Sequence, residues 1–108
     1  MAKGMSGDTF DRMAAVFRIL AEATRLAILY CLIEGGEMSV GQIVRAIGRN
    51  QATVSKHLKL MAELGLLARR KQGLQVFYCL QDPVWEKVFR LVRSCLNKGM
   101  SEEAASLP

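Results

Sequence analysis

No apolar run in this chain is long enough to span a membrane, because Arg25, Glu34 and Glu37 interrupt the best candidate. The opening residues, MAKGMSGDTF, lack the apolar core of a secretory signal, so a cytoplasmic protein is expected. Cysteine is scarce. Cys31, Cys79 and Cys95 are odd in number and widely spaced, which excludes a disulfide framework. No Cys-x-x-Cys suggests zinc, and free thiols are the rule in the cytosol. Histidine occurs once, at His57. No nucleophile–base pair, phosphate loop or metal-ligand cluster is visible, so no enzyme, metal or cofactor is expected. Internal repeats, linkers and low-complexity segments are also missing. Apolar residues make up 51% of 108 residues, which suits one small globular domain over 1–108 with a modest core. Residues 1–7 and 100–108 are expected as flexible ends.

Acids are nearly absent from one stretch. Between Arg45 and Gln75 lie Arg45, Arg49, Lys56, Lys59, Arg69, Arg70 and Lys71, against Glu63 alone. The chain carries a net charge of +5, and this window holds all of the positive excess. A polyanion is the natural partner of such a face; the plainer alternative is a solvated basic surface.

The spacing predicts a helix from Asp8, as its cap, to about Ala21, with Phe10, Met13, Ala14, Phe17, Ile19 and Leu20 apolar. A second helix, about Ala23 to Glu34, is apolar nearly all round and should lie centrally in the core, ended by Gly35-Gly36. Ser39 should cap a short helix, Val40 to Ile47, stopped at Gly48. Asn50 should cap another, Gln51 to Leu64, ended at Gly65. Strands follow at about Leu67–Arg70 and Gln75–Leu80. Asp82 should cap the last helix, which has Pro83 at its first position and runs to about Lys98. The fold class is therefore mainly α with a β-hairpin wing: four helices, a hairpin and a fifth helix. The three-residue link Gly48-Arg49-Asn50 between two helices is a helix-turn-helix feature, and the hairpin makes it a winged helix-turn-helix.

Within Gln51–Leu64, Val54, Leu58, Met61 and Leu64 share one face and should pack on the core. The opposite face carries Gln51, Ala52, Ser55, Lys56 and Lys59. Small residues there let a helix sit deep in a major groove, where Gln51, Thr53 and Ser55 could reach base edges. Lys56 and Lys59 suit phosphates, as do the N–H groups at that helix end. Arg49 lies in the basic turn just before it. Arg69, Arg70 and Lys71 precede the hairpin tip; alternation puts Arg69 and Lys71 on one face and Arg70 on the other. Such side chains can follow the backbone or enter the minor groove. His57 tilts toward the packed side and reads as a structural hydrogen-bonding residue. A different class of function fits the same charge: a winged-helix module whose basic face binds an acidic protein.

Four segments, LAEATRLAIL (from Leu20), EMSVGQI (from Glu37), QATVSKHLKLMAELGLL and ARRKQGLQVFYCL, resemble the ArsR/SmtB family of bacterial repressors. The resemblance covers roughly Phe17 to Arg93. It implies a homodimer joined through the first and last helices, a near-palindromic double-stranded DNA operator, and release by an inducer. The surplus of apolar residues on the first and last helices independently suggests a dimer, whose symmetry would match a palindrome. Some members of the family sense soft metals through a Cys-x-Cys pair at the start of the third helix; Ser39 and Gly41 stand there. Others bind zinc through Asp and His on the last helix, which here has Asp82 and Glu86 but no His. Still others join a second-helix and a last-helix cysteine when oxidised or persulfidated. Cys31 and Cys95 are the sensor candidates on that pattern, with an imperfect register; Cys31 and Cys79 also read as ordinary core-filling thiols. A regulator with no sensor site is the open alternative.

Overall fold

The computed structural model describes residues 4–98. Its helices are α1 (Gly7–Leu20), α2 (Ala23–Gly35), α3 (Val40–Ile47), α4 (Gln51–Glu63) and α5 (Val84–Asn97). Its strands are β1 (Met38–Ser39), β2 (Leu67–Gln72) and β3 (Gln75–Leu80). The last two form the hairpin expected from the sequence, paired antiparallel from Leu67↔Leu80 to Gln72↔Gln75. Their link is the two-residue turn Gly73-Leu74. Gly73 has φ +62°, the positive value that the first position of a type II′ turn requires.

β1 was not expected. Two residues are too short to show a period, yet they pair with β3 as Met38↔Tyr78 and Ser39↔Phe77. The sheet order is thus β1-β3-β2.

The helix ends explain most of the boundaries. Ser6, not Asp8, caps α1: its Oγ accepts from the Thr9 N–H at 3.3 Å. The ordered helix therefore begins at Gly7, inside the segment expected to be a flexible end, while 1–3 and 99–108 lie outside the described residues. Asp8 sits in the first turn, where a carboxylate suits the helix dipole. α2 is capped by Glu22, whose carboxylate accepts from the N–H groups of Thr24 (3.0 Å) and Arg25 (3.1 Å). Glutamate is outside the usual cap set, so the sequence gives no signal there. Ser39 caps α3 in a capping box. Its Oγ accepts from the Gln42 N–H at 3.2 Å, and its own N–H donates to Gln42 Oε1 at 2.8 Å. Asn50 caps α4, with Oδ1 accepting from the Thr53 N–H at 2.8 Å. Pro83 already has helical dihedrals, and Asp82 Oδ1 accepts from the Val84 N–H at 2.9 Å, so Asp82 acts as the expected cap of α5.

α4 ends in a Schellman arrangement. The Leu66 N–H reaches the Met61 carbonyl (3.0 Å), the Gly65 N–H reaches Ala62 (3.1 Å), and Gly65 takes φ +82°. This turn corrects one core residue. Leu64 swings out and is exposed, and Leu66 is buried in its place beside Met61.

The core gathers Ile28 and Leu32 of α2, Ile43 of α3, Val54, Leu58 and Met61 of α4, then Leu66, Leu67 and Tyr78. α2 is only half-central. Ile28, Leu29 and Leu32 are buried, but Leu26 and Tyr30 open onto the α5 side, where Tyr30 stacks on Phe89 with ring centroids 5.7 Å apart. α1 buries Ile19 alone, and α5 buries no residue fully.

Candidate nucleic-acid interface

The core anchors α4 by Val54, Leu58 and Met61, each with no exposure. That orientation turns Gln51, Ala52, Thr53, Lys56 and Lys59 to solvent and leaves Ser55 half-buried. Gln51, Ser55 and Lys59 recur at i, i+4 and i+8, so they form one stripe along the helix. The stripe lines a groove of about 420 Å³ whose other walls are α3 and the wing. Arg45, Lys59 and Arg69 are its cations, and no lining residue is acidic. A second hollow, on the other flank of α4, brings Thr53, Lys56 and Lys59 beside Arg25 and His57.

Sequence reasoning left Arg45 out of the candidate set. It sits in the last turn of α3, three residues before Gly48, and the helix-turn-helix bend brings it to the groove. Leu74 was also passed over. It is fully exposed at the wing tip and lines the same groove. Arg49, in the helix-turn-helix link, is exposed.

The wing residues separate by face. Cross-strand partners share a face, and Arg69 pairs with Tyr78 and Lys71 with Val76. That face includes the groove wall formed by Arg69, Val76 and Tyr78. Arg70 lies on the opposite face, as alternation requires. It is not a free cation there. Its Nε and Nη2 donate to the two carboxylate oxygens of Glu37 at 3.1 and 2.7 Å, Nη1 donates to Gln72 Oε1 at 2.6 Å, and the guanidinium lies 4.7 Å from the centroid of the Phe77 ring. The hydrogen-bonded Arg70 guanidinium holds the Glu37 carboxyl below the usual carboxylate value. Arg70 was expected with Arg69 and Lys71 as a DNA contact; in the structure its guanidinium is engaged by Glu37 and Gln72.

His57 makes the hydrogen bond expected of a structural histidine. Its Nδ1 accepts from Arg25 Nε at 3.2 Å, and Nε2 lies 3.6 Å from Glu22 Oε2. Arg25 also donates through Nη1 to the carbonyls of Ile19 (3.0 Å) and Arg18 (3.4 Å) at the end of α1. One arginine therefore links α1, α2 and the reading helix. The Thr24 N–H, helped by that of Arg25 and by the nearby His57, lowers the Glu22 carboxyl against the opposing effect of its partial desolvation.

Within one protomer the two sensor candidates are free thiols on separate helices, Cys31 half-buried on α2 and Cys95 exposed on α5. Cys31 Sγ donates to Met38 Sδ at 3.5 Å, and burial raises the pKa of its thiol. A raised thiol has less of the reactive thiolate. Cys95 is exposed on α5. α5 runs back along α2, since Phe89 stacks on Tyr30 while Val92 and Leu96 gather with Leu26. Cys95 lies six residues beyond Phe89, which at 1.5 Å per residue separates it from the level of Cys31 by roughly 10 Å along the axis. That exceeds disulfide reach. Cys79 is half-buried on β3. The hydroxyl of Ser39, at the site where the resemblance implies a thiolate, is engaged in the α3 capping box. Among the described residues no three His, Cys, Asp or Glu side chains are placed to hold a metal ion.

Two helices joined by a tight turn, a charged ribbon beside the second, and an acid-free groove between them define a winged helix-turn-helix DNA-binding domain. The chain belongs to the arsR family of bacterial regulatory proteins: the family's model matches residues 22–69, and the arsenical resistance operon repressor of Escherichia coli is 36% identical over 107 residues, covering 85% of this chain and 92% of that one. A cadmium resistance transcriptional regulatory protein (a CadC homolog) of Staphylococcus aureus is 40% identical over 70 residues, covering 65% of this chain and 58% of the relative. Among solved structures, a homodimeric winged helix-turn-helix DNA-binding domain from Mycobacterium bovis superposes with a TM-score of 0.78 at 31% identity, covering 94% of each chain. Membership places the chain among DNA-binding regulators of transcription. No helix among the described residues is long and apolar enough to cross a membrane.

Proposed function

We propose that this chain acts in the cytoplasm as a homodimeric transcriptional repressor, bound to a near-palindromic operator until an inducer releases it. The observation that carries the reading is the groove between α3, α4 and the wing, with Arg45, Lys59 and Arg69 in its walls and no acid. In this reading Gln51, Thr53 and Ser55 face base edges, with Ala52 small enough to allow close approach. Lys56, Lys59, Arg49, Arg69 and Lys71 face phosphates. The dimer is supported by the apolar residues that a protomer leaves open on its first and last helices. Phe17 is 64% exposed, Leu91 68% and Val92 57%. A second copy covering them would set two α4 helices at the spacing of successive major grooves.

The inducer is a separate question. The relatives named for arsenical and cadmium resistance make soft metals the first compounds to test, although Ser39 and Gly41 occupy the positions where the resemblance implies thiolates. A thiol signal through Cys31 and Cys95 would have to act between protomers or through a longer sulfur bridge. The experiment is a titration of operator affinity with arsenite, Zn(II), polysulfide and oxidant. Release by one of them supports an inducible repressor. No response to any leaves a regulator without a sensor site.

A further inference from the structure

The wing is a ribbon that outruns its sheet. β1 pairs with β3 only at Met38↔Tyr78 and Ser39↔Phe77, while β2 and β3 continue together to Gln72↔Gln75. β3 lies between β1 and β2, so these two share no ladder hydrogen bonds. A two-stranded ribbon alone is marginally stable. Leu67 and Tyr78 anchor its base in the core, but beyond Phe77 no third strand among the described residues steadies it, so a contact at that point bears on its angle against the helices.

Arg70 stands where the third strand stops. From β2 its side chain crosses Phe77 on β3, at 4.7 Å, and forks onto both oxygens of Glu37, the residue preceding β1. Its remaining nitrogen holds Gln72, two residues further along the wing. Phe77 is also the residue that Ser39 pairs with, and Ser39 caps α3. One side chain thus spans the sheet at the point where wing and helix-turn-helix meet. Exposed ion pairs are generally weak, but a bidentate fork stacked on a ring has fixed geometry.

We propose that Arg70 and Glu37 form a strut that sets the wing's angle to the reading helix, and that both are positioning residues for DNA recognition rather than contacts. This rests on the DNA-reading function. A phosphate contact would use Arg70 as a free cation, yet its fork is filled by a carboxylate and it lies on the face opposite Arg69 and Lys71. The two roles give opposite signs for Glu37. If the pair merely sits near DNA, removing the acid strengthens binding to a polyanion. If the pair is a strut, removing either partner frees the wing and weakens binding.

The test uses the full chain and its Glu37→Gln, Arg70→Gln and doubly substituted variants. The probe is a fluorescent duplex of about 30 base pairs, room for two half-sites a turn apart, selected by the unaltered protein from a random pool. The strut requires each single variant to bind this duplex about tenfold more weakly, with the double variant no worse than either, as coupled residues behave. The slope of log affinity against log salt stays that of the unaltered protein, because no phosphate contact is lost. The unfolding midpoints of these surface variants stay close to that of the unaltered protein. Unchanged or tighter binding by Glu37→Gln overturns the strut, as does an Arg70→Gln slope flattened by about one. If the unaltered protein selects no duplex over random DNA, the DNA-reading function itself fails and the strut with it.

Discussion

The two halves of this molecule are finished to different degrees. In the reading half, a Schellman turn closes α4, and its core residues Val54, Leu58 and Met61 have no exposure. In the other half, α1 buries only Ile19 and α5 buries nothing fully, although both are rich in Phe, Leu and Val. The contrast teaches that a protomer is complete as a groove and incomplete as a body. Burial is concentrated where geometry against a duplex must be held, and apolar surface is left where a second copy can cover it.

That contrast can be broken most strongly on the unfinished side. Leu91→Glu places a charge in the middle of the open apolar face. It should leave the protomer folded, split the dimer in sedimentation, and lower operator affinity by about 10²–10⁴-fold, the linkage lost when two half-site readers act singly. A dimer that survives this change would move the partner surface elsewhere. The same loss of side-chain bulk has a different meaning in the reading half. Leu58→Ala should cost about 2–5 kcal/mol in denaturant unfolding, because Leu58 has no exposure and leaves a cavity. Leu91→Ala should cost far less in the protomer.

Two substitutions on α4 sharpen the reading side itself. Gln51→Ala should lose about 1–3 kcal/mol of discrimination at one base pair while binding random DNA almost as before. Lys56→Ala should weaken binding to every sequence alike and reduce the salt slope by about one. If the two variants behave identically, the division of α4 into base-reading and phosphate-holding residues is wrong.

The smallest effect expected is a pH dependence. The Thr24 and Arg25 N–H groups and His57 lower the Glu22 carboxyl below its ordinary value of 4.5. A depressed carboxyl stabilises the folded state fully above that ordinary value, and the contribution is lost as pH falls through the lower folded value. Unfolding midpoints followed from pH 6 to pH 3 should therefore fall, and Glu22→Gln should remove part of that fall. The effect is modest because the group is solvent-screened.

Local signals were legible in the sequence and distant ones were not. Ser39 with Gln42 and Asn50 with Thr53 lie within three residues of each other, and Gly65 marks the end of α4, so the helix-turn-helix and its ends could be read directly. Asp82 before Pro83 was equally plain. Glu22 as a cap was invisible because glutamate is seldom one, and Ser6 was passed over for the acidic Asp8. β1 is too short to carry a period. Leu64 fitted the helical repeat but left the helix one residue early, because the Gly65 turn hands its place to Leu66. The alternation of the wing placed Arg70 on the right face, yet Glu37 lies 33 residues away. Charge counting sees only a cation there, so it could not tell a strut from a contact. Cys31 and Cys95 were matched by element alone; which way α5 runs along α2, and so how near the two come, is a tertiary fact that sequence spacing does not carry.

The central claim is that the acid-free groove and wing read a defined DNA sequence. It is tested most directly by measuring the affinity of the purified protein, from low to physiological salt, for the duplex it selects and for random DNA of the same length. A DNA-reading groove gives a steep decline of log affinity with log salt, and a preference for the selected duplex of at least about 10³ at physiological salt. Equal affinity for the two duplexes would contradict it.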